Sequence, residues 1–112
     1  MNTPEEDKLM ERNRLRASIH KVLECTEDET FNIIDLMLDD IKLFDEKHKD
    51  YGEDNIRKFG EYGVLVRTSD KLERLTTLLN SGTMPRNESI SDSWQDLTIY
   101  STIARAVRNG TW

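Results

Sequence analysis

Basic groups, tyrosines and glycines gather between Lys47 and Arg74 of this 112-residue chain, and together they are the chemistry of anion binding. His48, Lys49, Asp50 and Tyr51 precede Gly52, Gly60 and Gly63, three of the five glycines in the sequence. Glycine enters positive φ at little steric cost, so a segment punctuated in this way can turn its backbone amides toward a phosphate. Just downstream, at about 100° per residue, Arg67, Lys71 and Arg74 project within one narrow sector of a helix, at the edge of a stripe of Leu65, Leu72, Leu75 and Leu79. Guanidinium groups on such a ridge can hold phosphate through paired N–H donors. The alternative is a solvated face on which Asp70 and Glu73 pair with their neighbours, since opposite charges three or four residues apart meet on a helix.

The same projection singles out two carboxylates. Asp40 falls between Ile33, Leu36 and Phe44, and Asp96 lies between Tyr100 and Ile103. A carboxylate at a core boundary needs a cation, a metal or a ligand donor such as a base amide. Pairing with the basic ridge meets that need, as does magnesium held by Asp40, Glu88, Asp92 and Asp96 together with substrate phosphate oxygens. Direct hydrogen bonding to a nucleobase is the third arrangement. His48 follows Ile41 and Phe44 down one face and ends its helix, where the dipole favours a cation; it reads as a cap or a ligand contact, because no motif supplies a nucleophile for it to activate. Tyr51 and Tyr62 flank the glycines and can either stack on a base or close the core. Trp94 falls within the apolar stripe of the last helix and is expected in the core, whereas Trp112 fits no pattern.

Lys49-Asp50-Tyr51-Gly52, Asn55-Ile56, Phe59-Gly60, Gly63, Arg67, Asp70 to Leu75, Glu88, Asp92, Trp94, Asp96-Leu97 and Tyr100 carry a further signal in their combined spacing. Over residues 30 to 108 the chain resembles the nucleotide modification associated domain 1 family, small helical proteins found largely in phage genomes. That family is similar, more distantly, to the all-α nucleotide pyrophosphohydrolases of the MazG type, which hold magnesium with a Glu-Glu-x-x-Glu helix and a later Glu-x-x-Asp helix. Here Asp35, Asp39 and Asp40 stand where the first motif belongs, and the second reads Glu88-Ser89-Ile90-Ser91-Asp92, one residue too long. The resemblance therefore implies nucleotide binding more directly than hydrolysis. The implied site comprises His48, Lys49, Tyr51, Gly60, Tyr62, Gly63, Arg67, Asp70, Lys71, Arg74 and Asp96, with phosphates on the basic residues and glycine amides and the base against a tyrosine. A phage can profit from sequestering a nucleotide, including a cyclic oligonucleotide that signals in bacterial defence. A magnesium-dependent nucleotide pyrophosphohydrolase is the enzymatic alternative, and only it calls for a cofactor.

These side chains must be positioned by a small and polar chain, 36% hydrophobic and 34% charged, whose length suits one domain with a modest core. A second copy would help to cover apolar faces, so a homo-oligomer is expected. The net charge of -6 argues against general attraction to nucleic acid or to an anionic membrane, and any polyanion must be bound locally. The lone Cys25 reads as an ordinary helical thiol, and no Cys/His cluster has zinc spacing. No apolar run suits a membrane helix and the N-terminus lacks a signal-peptide core, so the expected location is cytoplasmic, under the resemblance that of an infected bacterium.

The patterns predict an all-α fold of about four main helices, with residues 1–24 as a charged helix or arm and 27–109 as the core. Thr3-Pro4-Glu5-Glu6 has the cap, proline and acids of a helix start, and the helix after it could pack on a partner subunit. If that charged helix were the working surface, the chain would be a protein-interaction module. Thr26 and Glu29 form a capping-box pattern before a second helix that runs to about His48 and, being apolar over most of its circumference, is expected at the centre of the domain. A glycine-punctuated loop with one short helical turn is expected before a third helix, Val64 to Leu79. A polar loop from Thr83 to Asn87 then leads to a last helix ending near Arg108.

Overall fold

The computed structural model describes residues 1–86 and 88–112, and of Tyr51 the backbone alone, so the choice between base stacking and core closure for the Tyr51 ring lies outside the described residues. Four α-helices follow one another, α1 (Pro4–Val22), α2 (Thr30–Tyr51), α3 (Asp54–Ser81) and α4 (Ile90–Asn109), and no strand occurs among the described residues. The chain is all-α, as its patterns predict. It divides into two compact units, Met1–Lys42 and Leu43–Trp112, with the boundary inside α2.

In unit 1, α1 begins as its sequence requires. The Thr3 side chain accepts a hydrogen bond from the Glu6 amide at 3.1 Å, Pro4 occupies the first turn, and Glu5, Glu6 and Asp7 face the positive end of the dipole. The helix stops where Glu24 turns into the left-handed region, and the amides of Leu23 and Cys25 close on Ile19 and His20. Helix α2 starts at Thr30, three residues later than the capping-box pattern suggests, because the carbonyls of Glu27, Asp28 and Glu29 first accept i,i+3 bonds in a tight turn. Arg16 pairs with Asp35 at 2.6 Å, Arg12 with Asp39 at 3.0 Å, and His20 stacks on Phe31 with centroids 3.9 Å apart. Ile34 is buried, but Ile33, Leu36, Met37 and Ile41 are exposed, contrary to a central place for the whole circumference of α2. The reason is chemical: α1 meets α2 with Arg12, Arg16 and His20, and polar groups cover one side only.

In unit 2, α3 packs along α4, burying Ile56, Val64, Leu75 and Ser93. The expected glycine loop is instead helical from Asp54 onward, broken at Gly60, whose φ of 65° and ψ of -157° kink the helix. A side chain there would have to enter the left-handed region. At Gly63 a Cβ would meet the Phe59 Cβ at 2.5 Å, so the second glycine permits the close approach that follows the kink. Helix α4 opens with a capping box in which the Ser89 hydroxyl accepts from the Asp92 amide at 2.9 Å and the Asp92 carboxylate from the Ser89 amide at 3.3 Å. Its buried side follows Ser93 and Asp96. Trp94, about 100° round from Ser93, is therefore half-exposed rather than in the core.

Candidate functional site

A cavity of about 940 Å³ opens within unit 2, at the upper end of the range for small-molecule sites. Part of its lining is apolar: Leu43 and Phe44 from α2, Ile56 from α3, and Ile99 and Ile103 from α4. Its polar lining comes from Lys47 and His48, from Asn55, Arg67 and Lys71, and from Glu88, Asp92, Gln95, Asp96 and Tyr100.

Lys71 organises the charged part. Its Nζ lies 2.7 Å from Glu88 Oε2 and 2.9 Å from Asp96 Oδ2, and Lys47 approaches Asp96 Oδ1 at 3.4 Å. Burial disfavours the Lys71 ammonium, but hydrogen bonds to Glu88 and Asp96, and then their negative charge, outweigh it and raise the lysine pKa. The Lys71 hydrogen bond holds the Glu88 carboxyl below its ordinary value against the opposing effect of burial, with help from Ser93 and Asp96. Beneath the cluster Arg74 donates Nε to Ser93 Oγ at 3.2 Å and Nη2 to the Glu88 carbonyl, while Ser93 Oγ donates to Glu88 Oε1 at 3.0 Å. Arg74 is thus a tie between α3 and the start of α4 and does not line the cavity. Among the described residues Arg67 lines the cavity with no hydrogen-bond or ion-pair partner.

The cavity's aromatic end is lined by Phe44, His48 and Trp112. The Trp112 ring meets Phe44 and His48 edge-on, with centroids 5.9 Å and 5.3 Å apart, and Phe44 stacks against His48 at 5.2 Å. The Trp112 indole donates to the Glu53 carbonyl at 3.2 Å, which fixes the ring beside the start of α3.

Of the residues singled out from sequence, His48, Arg67, Lys71 and Asp96 line this cavity, as do Glu88 and Asp92. Lys49 is exposed and pairs with Asp45 at 3.4 Å; Tyr62 and Asp70 are exposed; Gly60 and Gly63 shape α3 and do not contribute to the lining. Asn55, Gln95 and Trp112 were not among the expected binding residues, nor was Tyr100, although its i,i+4 relation to Asp96 was a usable signal. Nothing local marks Trp112, since its ring partners lie on α2.

The donor set does not fit magnesium. Among the described residues no three His, Cys, Asp or Glu side chains gather as a metal-binding group. The Lys71 ammonium sits against both Glu88 and Asp96, where it supplies the positive charge a dication would bring and repels one arriving beside it. Asp92 is engaged in capping α4, and Asp40 is half-buried on the part of α2 that belongs to unit 1. Among the described residues no helix is long and apolar enough to cross a membrane. Comparison with known proteins finds no family model, no curated protein and no solved structure that matches this chain.

Proposed function

We propose that this chain binds a small nucleotide in the unit 2 cavity and holds it without hydrolysing it. The observation that carries the reading is the state of the cations. Lys47 and Lys71 are engaged with carboxylates, which leaves Arg67 as a guanidinium on the lining without a partner among the described residues. A forked donor of this kind suits a phosphate, and the rings of His48, Tyr100 and Trp112 on the same lining offer flat surfaces for a base. The Asn55 amide can both donate to and accept from a base edge. The resemblance to the nucleotide modification associated domain 1 family supports the same ligand class. A lysine between the two carboxylates where a metal would be needed favours binding over chemistry. Sequestration in the cytoplasm of an infected bacterium, with a cyclic oligonucleotide immune signal as one cargo, requires affinity alone.

The test is to incubate purified protein with a panel of linear and cyclic nucleotides, with and without magnesium, then heat-denature it and chromatograph what it releases. Intact nucleotide in the protein-bound fraction is the expected result, and Arg67→Ala should weaken its binding by about tenfold or more with little change in Tm. Release of a monophosphate only when magnesium is present would replace this reading with the pyrophosphohydrolase. Absence of retention at high micromolar concentration would refute nucleotide binding.

A further inference from the structure

One surface unused by the cavity belongs to unit 1. Residues 7, 11, 14, 18 and 21 of α1 recur at alternating four- and three-residue spacing and so share one face. They are Asp7, Glu11, Arg14, Ser18 and Lys21, bordered by Leu15 and Val22, and all seven are exposed. Among the described residues the side chains of the four charged ones have no ion-pair or hydrogen-bond partner. Charge is also segregated along the helix. Glu5, Glu6, Asp7 and Glu11 occupy its first half, with Lys8 and Arg12 the exceptions, while Arg14, Arg16 and Lys21 occupy its second.

The helix dipole favours that order, and the order has a second effect: the helix is complementary to an antiparallel copy of itself. A two-fold axis makes each such contact twice, which a single self-matching patch can supply and an unrelated partner would have to imitate. With the axis between Arg12 and Asn13, Glu11 comes opposite Arg14 and Asp7 opposite Ser18, less than one helical turn from Lys21, whose long side chain can reach it. The hairpin also leaves Ile33, Leu36, Met37 and Ile41 of α2 exposed, at the i, i+3, i+4 and i+8 positions of one helical face. This stripe is on the side of α2 turned away from Asp35 and Asp39, and therefore from α1, so pairing through α1 makes no use of it.

We propose that two copies of this chain pair through unit 1, with α1 antiparallel to α1 of the second copy, Asp7 against Lys21 and Glu11 against Arg14. The pairing uses no residue of the cavity and stands or falls separately from nucleotide binding.

Sedimentation equilibrium of the full chain tests it, together with two charge-reversed chains. One carries Asp7→Lys with Glu11→Lys, the other Arg14→Glu with Lys21→Glu. The unaltered chain should sediment at twice its 13.1 kDa mass. Each altered chain alone should dissociate at least about tenfold more readily, because like charges then face each other. An equimolar mixture should recover the dimer with one chain of each kind, which a merely misfolded variant could not do. A monomer at every concentration overturns the proposal, as does a dimer indifferent to both alterations or a mixture no tighter than its components.

Discussion

Unit 2 buries Val64, Leu75 and Ser93 where α3 and α4 pack and gathers its charges into a paired cluster, whereas unit 1 buries Ile34 and joins its helices through Arg12 and Arg16 to Asp35 and Asp39. The materials differ in what they contribute. Apolar burial stabilises in proportion to area, while partly exposed ion pairs contribute about 0 to 1 kcal/mol each after screening and side-chain ordering. Unit 2 is therefore built to hold a shaped cavity, and unit 1 keeps much of its apolar surface available. Under the two proposals, a region that keeps a site in shape and one that meets a second copy have opposite needs, and this chain separates them.

The contrast is most exposed to test in the two cores. Leu75, 2% exposed, should cost about 2 to 5 kcal/mol on Leu75→Ala through lost transfer energy and an unfilled cavity. Leu36, 61% exposed, should cost under about 0.5 kcal/mol on Leu36→Ala in dilute protein. Urea unfolding of both variants reads the difference directly, and equal losses would abolish the distinction between the units.

Next in size is Lys71→Met, which leaves Glu88 and Asp96 facing each other in a half-buried site and should destabilise unit 2 by about 2 to 3 kcal/mol at neutral pH. The pH dependence follows from the directions of the shifts. Glu88 has its folded pKa lowered, so its contribution is present above the ordinary value of 4.5 and is lost as pH falls through the lower folded value. Lys71 has its folded pKa raised, so its contribution is present below 10.5 and is lost as pH rises through the higher folded value. From this pair, stability should hold level between the two limits, and Lys71→Met should flatten the acid limb in a Tm-versus-pH series. An acid limb unchanged by the substitution would place the titrating pair elsewhere.

The smallest expected effect is local to unit 1. Thr3→Ala removes the bond to the Glu6 amide and should cost about 1 kcal/mol in α1. Hydrogen exchange should quicken in the first turns of α1 while the α3 amides keep their protection. Faster exchange in both regions would mean that the units open together.

Several of these features were legible in the residues. Thr3-Pro4 marked the start of α1 because a cap and a proline act within one turn. Asp96 was legible as a core-boundary carboxylate because helical projection places it among apolar neighbours, and its lysine partners answer the need that burial creates. Other readings went astray where a local pattern competed with its surroundings. Thr26 and Glu29 match a capping box, but the chain first takes a tight turn. The glycines before Val64 match a loop, yet helix is kept on both sides of the single positive-φ residue at Gly60. Trp94 matches an apolar stripe, but the buried side of α4 is set by α3 and lies along Ser93 and Asp96.

By itself, then, the sequence determined the helices, their order, the polar character of α1 and the presence of a basic ridge, because each follows from interactions within a few residues. Only the tertiary structure decided which members of that ridge remain available. Lys71 is engaged by Glu88 and Asp96, Arg74 is spent on Ser93 and the Glu88 carbonyl, and Arg67 is left on the cavity. It also decided that Trp112 joins the lining of that cavity beside Phe44 and His48. Partners separated by tens of residues meet only when helices pack, and neither spacing nor periodicity encodes which side chains packing will bring within reach.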